Sequence, residues 1–239
     1  MSPPLPRSFL NNGYVGNAEW RGVPLNAVLD HVGVKPGTRE IVLEGADRGK
    51  VPSATAEIAF AKTSPIDKAL HPATLLVYEM NGVPLPRQYG GPLRVLVPGW
   101  YGTYSVKWIR RIEAIDQPFD GVFMTKSWRL RQRRDGFPRE ESVTQIVVKS
   151  LIVSPAAGDK LATGEHRIQG VAWSGGKDIT SVQVTADAGA TWRAARLLAP
   201  QATYAWRLWE FPWRVTSAGT YTLMARATDT SGRGAAVRV

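Results

Sequence analysis

Two cations are best placed to do chemistry. Arg94 and Lys107 flank a glycine-bearing loop, Pro98-Gly99-Trp100-Tyr101-Gly102. Glycines let a backbone come close to a ligand and present its N–H groups. Arginine offers a planar fork for phosphate, and lysine a point charge. Both cations fall at the ends of predicted strands, so the loop suits a phosphorylated, heterocyclic cofactor. A turn with two surface cations is the competing reading, and spacing alone favours it. Other chemistries find less support. The chain has no cysteine, which excludes disulfides, thiolate metal ligands and cysteine nucleophiles within it and leaves the redox compartment open. His31, His71 and His166 lie far apart without metal-motif spacing and read as ordinary surface or half-buried residues. No G-x-S-x-G elbow or G-x-x-x-x-G-K loop is present. The adjacent carboxylates Glu140 and Glu141 read as solvated. No metal ligand and no catalytic residue is assigned from these patterns.

The net charge of +10 fits a solvated excess, a pocket for a small anion, or a nucleic-acid surface. The densest basic run, Lys126 to Arg139, holds Arg129, Arg131, Arg133 and Arg134 but only Phe137 as an aromatic beyond Trp128. That is a poor match to the basic-plus-stacking pattern of single-strand binders, so nucleic acid is disfavoured. The 239 residues suit one or two domains, and 44% hydrophobic content can build a core. No apolar run reaches the roughly eighteen residues of a transmembrane helix. The start, Met1 to Pro6, lacks the basic and apolar regions of a secretory signal. As it stands the chain reads as cytoplasmic. A periplasmic location would need an export signal from elsewhere.

The elements that must position these residues are legible in outline. Leu25, Val28, Leu29 and Val32 form one apolar stripe, which predicts a helix over 24–33. Pro24 suits its first turn and Gly33 its stop. Glu40 to Glu44 reads as a strand ending at Gly45, followed by a polar turn from Ala46 to Gly49. Ser64-Pro65 opens a second short helix with Ser64 as cap. Ala73 to Met80, Pro92 to Pro98 and Val106 to Ile115 read as strands, and Asn81-Gly82 as a hairpin turn. Residues 126–146 read as a linker. Short β-rich runs then recur at 150–153, 167–173, 180–186, 192–198, 205–211 and 220–227, the pattern of an immunoglobulin-like sandwich. Trp173, Trp192, Trp206 and Trp213 are expected to pack in its core or between its sheets. The expected fold class is α+β, with a first domain over 1–125, the linker, and a sandwich over 147–239.

Two segments carry a resemblance. One is Gly16-Asn17-Ala18-Glu19-Trp20-Arg21-Gly22-Val23-Pro24-Leu25. The other runs from Tyr78-Glu79-Met80-Asn81-Gly82 through Pro92-Leu93-Arg94 and Pro98-Gly99-Trp100-Tyr101-Gly102 to Val106-Lys107-Trp108. Together they resemble the molybdopterin-binding domain of the sulfite oxidase family. Gly170-Val171-Ala172-Trp173, Asp187 to Trp192 and Arg226 to Asp229 resemble that family's dimerisation domain. The resemblance implies a molybdenum-molybdopterin cofactor contacted by Asp47, Arg94, Ser105, Val106 and Lys107. Tyr89 stands where many members carry a histidine. It can donate one hydrogen bond but cannot become cationic. Trp128 stands where many members carry an active-site tyrosine near the metal, and an indole has no acidic hydroxyl.

The resemblance further implies oxygen-atom transfer on sulfite or a related sulfur compound, a small anionic substrate, electrons passed to a haem protein, and a homodimer. Family members carry a molybdenum-ligating cysteine and a sulfite-binding arginine before G-N-A-x-W. This chain has no cysteine, so the expectation is an N-terminally truncated form, with Arg7-Ser8-Phe9 as the tail of that segment. Its first domain is then incomplete, with exposed edges and either reduced stability or dependence on a partner, and the chain alone is inactive. A different class of function competes: a non-catalytic remnant serving as a dimerisation or scaffold module.

Overall fold

The computed structural model describes residues 15–134, 137–198, 202–232 and 234–238. The Arg7-Ser8-Phe9 segment lies outside the described residues. The chain divides into two units, one spanning Ala18–Ile146 and the other containing the residues from Val147 onward.

The first unit holds β1 (Trp20–Pro24), α1 (Leu25–Val32), β2 (Glu40–Gly49), β3 (Ile58–Pro65), α2 (Ile66–Ala69), β4 (Leu75–Met80), β5 (Val83–Pro84), β6 (Arg94–Leu96), β7 (Ile109–Ile115), α3 (Val122–Thr125), β8 (Arg129–Arg134) and β9 (Phe137–Ser142). One sheet runs β1-β4-β5, with β6 also pairing β4, and a second runs β3-β2-β7. Ile41 and Leu43 of β2, Leu76 of β4, Val95 of β6 and Leu25 and Leu29 of α1 share one core with Val97, Tyr104 and Val106. Each such side chain contributes about 1.5–3 kcal/mol by leaving water. The apolar stripe of α1 is shorter than its periodicity suggests, because Val32 is 68% exposed. Gly33, at φ 74°, ends the helix, and Pro24 caps it from the end of β1 instead of lying in its first turn.

β2 does not end at Gly45. It continues to Gly49 through an irregularity between Glu44 and Arg48, so the presumed turn is a bulge. Ser64 is not a helix cap. It lies buried in β3, and Pro65 holds the cap position without a side-chain hydrogen bond. Strand β3 itself escapes a pattern search because its buried run, Ala61-Lys62-Thr63-Ser64, is small and polar. The presumed linker forms the hairpin β8–β9 and clusters with the first unit. A two-stranded ribbon needs little core of its own, which is why its composition resembles a linker. Past the hairpin the chain returns to the glycine-bearing loop. Tyr101 N–H donates to the Thr144 carbonyl (2.9 Å), and Ile146 N–H to that of Gly99 (2.9 Å). The Asn81-Gly82 turn forms as expected, with φ of 53° and 76°.

The second unit is all β: β10 (Lys149–Ser154), β11 (Gly164–Trp173), β12 (Ile179–Thr185), β13 (Arg193–Ala194), β14 (Arg196–Leu197), β15 (Arg207–Val215), β16 (Met224–Asp229) and β17 (Gly234–Arg238). Two four-stranded sheets, ordered β10-β11-β15-β14 and β13-β12-β16-β17, enclose one core that includes Ile152, Ile168, Val182, Val184 and Trp209. Gly170 lets this packing close. A Cβ there would lie 2.1 Å from the Leu151 carbonyl oxygen and 2.3 Å from Trp209 Cζ2. Of the four tryptophans expected inside, only Trp213 is buried. Trp209 fills the core instead, and Trp192 lies half-buried with the Arg226 guanidinium 4.3 Å from its ring centre. Among the described residues, no helix is long and apolar enough to cross a membrane.

Candidate cofactor site

The site is assembled by Arg94, buried at the start of β6. Its Nη1 donates to the Tyr89 carbonyl at 2.9 Å, and its Nη2 to the Ser105 carbonyl at 2.8 Å. Nε reaches the Val95 carbonyl at 3.4 Å. The Trp20 ring centre lies 5.2 Å from the guanidinium. Burial lowers the guanidinium's pKa, though arginine stays charged. Arg94 thus spends three of its five N–H donors on backbone carbonyls. It clasps the turn Arg87–Tyr89 to the segment that carries Ser105 and Lys107. Ser105 adds a second tie, its hydroxyl accepting the Val97 N–H at 3.0 Å. Val95 N–H donates to the Val106 carbonyl, and Val106 is sealed in the core.

The aliphatic stems of the two cations pack against Gly90. This residue has φ 108°, and a Cβ there would lie 2.9 Å from Lys107 Cβ and Cγ and 3.1 Å from Arg94 Cβ. Lys107 Nζ donates to the Gln88 carbonyl at 2.8 Å, which accounts for one of its three N–H donors. Trp108 turns the chain at φ 48° and donates its indole N–H to the Arg87 carbonyl. The β2 bulge arrives through Ala46 N–H, which donates to the Trp108 carbonyl at 2.8 Å. The Asp47 carboxylate and the Lys107 carbonyl both crowd Gly45, at 2.3 and 2.8 Å from where its Cβ would lie. Tyr89 is 43% exposed beside them. The fold therefore gathers Asp47, Tyr89, Arg94, Ser105, Val106 and Lys107. It places them differently: Arg94, Ser105 and Val106 are buried and tie the frame together, while Asp47 and Tyr89 are exposed and Lys107 is half-buried. The fork expected to reach outward to phosphate is largely turned inward.

A lysine missed in the sequence stands behind the same loop. Lys62 of β3 is fully buried, and its Nζ donates to the Phe123 carbonyl at 2.6 Å. The ammonium lies 4.7 Å from the Tyr104 ring centre and 5.1 Å from that of Trp128. Tyr104, directly before Ser105, meets Trp100 edge-on at 4.8 Å. Trp128 has φ 51°, packs against Phe60 and Phe123, and is 46% exposed. Burial lowers the Lys62 pKa to about 8 and raises that of Tyr104, an effect the nearby Ser142 hydroxyl opposes. The available sequence signal was a lysine directly after the apolar run Ile58-Ala59-Phe60-Ala61. Among the described residues, no group of histidine, aspartate or glutamate side chains is arranged to hold a metal ion.

Residues 6–123 match the oxidoreductase molybdopterin binding domain, and residues 140–234 match the Mo-co oxidoreductase dimerisation domain. The chain belongs to the sulfite oxidase family of molybdopterin oxidoreductases. It is 32% identical to sulfite oxidase of Gallus gallus, covering 92% of this chain and 50% of that one. It is 36% identical to mitochondrial sulfite oxidase of Homo sapiens, covering 83% of this chain and 38% of that one. The sulfane dehydrogenase SoxCD of Paracoccus pantotrophus superposes with a TM-score of 0.79 at 31% identity, over 91% of this chain and 53% of that one. The chain thus spans half, or less, of the length of these two sulfite oxidases. The cofactor of this family is molybdenum-molybdopterin. The residues around Gly90 fit such a group in kind: a lysine with N–H donors to spare and an exposed tyrosine suit an anionic tail.

Proposed function

We propose that the first unit holds the anionic end of molybdopterin and that the protein takes part in oxidising a small sulfur oxyanion or related sulfur compound. The observation that carries this reading is that Arg94 and Lys107 pack side by side against Gly90, with the Lys107 ammonium using only one of its donors on the Gln88 carbonyl. Lys107 supplies charge to the phosphoryl group, Tyr89 and the indole-braced turn at Trp108 set its position, and Asp47 accepts hydrogen bonds from the heterocycle. Arg94 acts from behind by tying the turn that carries Tyr89 to the segment that carries Ser105 and Lys107. The bound cofactor supplies oxygen-atom transfer, and the protein supplies position and field. Trp128 stands as the aromatic wall at the substrate end, in place of a tyrosine. It can shape and dry the pocket but cannot exchange a phenolic proton.

The sequence contains no cysteine, so the thiolate of the family's metal is not among these residues, and oxygen transfer requires it from outside them. We read the second unit as an immunoglobulin-like module that pairs two copies, with a haem protein accepting the electrons in the complete assembly. Elemental analysis combined with light scattering tests the proposal. Molybdenum approaching one per chain after expression in a cofactor-making host supports it. A dimer without molybdenum supports the competing scaffold role.

A further inference from the structure

Lys62 has no role in the cofactor frame, yet it is fully buried behind that frame's supporting loop. A buried ammonium is costly unless something replaces its water. Here the replacements are the Phe123 carbonyl and the faces of Tyr104 and Trp128. Among the described residues, no carboxylate forms an ion pair with it. On β2, Leu43 lies opposite Lys62, while neighbouring Glu44 pairs with Arg111 and Glu40 accepts from Phe119 N–H. Around α3, Lys126 donates to the Ser53 carbonyl, and Arg129 donates to that of Met124 and pairs with Glu140. Tyr104 is the titratable group facing the ammonium directly.

Of the two aromatic walls, Tyr104 is sealed in the core and Trp128 is open to solvent. Trp128 also holds a positive φ of 51°, a conformation that bulky residues adopt only when their surroundings impose it. Phe60 and Phe123 pack on its edge and face, and the Lys62 ammonium lies beneath.

We propose that Lys62 is a positioning residue, whose ammonium holds the Trp128 indole in place as the wall of the substrate end. This rests on the proposed function only in assigning Trp128 to that end; the hold itself needs no cofactor. A cation attracts the electron-rich face of an indole, and a neutral amine does not. The position of Trp128 therefore follows the protonation of Lys62, with a midpoint near its lowered value of about 8.

The test is the fluorescence of Trp128, isolated as the difference between the full chain and W128F and followed from about pH 7 to 10, below the ordinary lysine range. The expected result is a change in that difference with a midpoint near pH 8. The change disappears when the same difference is taken in the Lys62→Met background. In the Lys62→Arg background, where the cation persists, the low-pH signal is retained throughout. No transition in the native protein, or an unaltered one in either background, overturns the proposal. If K62M fails to fold, as judged by circular dichroism, the K62R comparison decides it. Because the measurement is made without cofactor, absence of pterin would defeat the proposed function and leave this result standing.

Discussion

At the scale of single residues, the site separates groups that grip from groups that build. Arg94 ties together three carbonyls from inside, so Arg94→Ala should destabilise the first unit by about 3 kcal/mol, as expected for removing a buried charged donor from several acceptors. Thermal unfolding with a probe in that unit would register the loss. Lys107 reaches outward, and Lys107→Gln should leave unfolding nearly unchanged. Lys62 adds a pH dependence whose sign is fixed. Its folded pKa lies below the unfolded one, so from about pH 8 to 10.5 the unfolded chain binds more protons. Stability should rise with pH through that window relative to K62M, and denaturant titrations at several pH values would measure it. The rise reflects relief of desolvation, even as the hold on Trp128 weakens.

At the scale of elements, two features of the sandwich make contrasting predictions. Gly170→Ala would drive a Cβ into the Leu151 carbonyl and the Trp209 ring, at a cost of about 3 kcal/mol or more, read from denaturant unfolding. The turn after β12 is pinned by Asp187, which accepts the hydroxyls of Thr185 (2.5 Å) and Thr191 (2.6 Å) and the Thr191 N–H (2.9 Å). These bonds, the Thr185 hydroxyl first, hold its carboxyl well below the usual range. Its stabilisation is therefore present above the ordinary aspartate range near pH 4 and is lost as pH falls below it. Asp187→Ala should flatten the acid limb of the sandwich's unfolding curve.

Both features lie in motifs legible in the sequence, Gly170-Val171-Ala172-Trp173 and Asp187 to Trp192. So were α1, the Asn81-Gly82 hairpin and most of the sandwich strands, because a periodic pattern or a required turn conformation marks each. The rest was hidden for physical reasons. β3 buries small and polar residues, so it lacks alternation. The hairpin β8–β9 is charged along its length. The bulge that presents Asp47 depends on contact with Trp108, distant in sequence. The two cations were legible as a pair, but not that one faces inward.

At the scale of the whole molecule, two units of different construction correspond to the two family domains. The sandwich should support self-association: light scattering of the full chain should give twice the chain mass, and a monomer at all concentrations would remove that role. The first unit should carry the cofactor contacts, and this claim is exposed most directly by one number, the pterin content per chain after expression in a cofactor-making host. The account predicts measurable pterin in the native chain and a loss of about tenfold in Lys107→Gln, the equivalent of one charge-assisted hydrogen bond. Equal pterin in both, or none in the native chain, would contradict it.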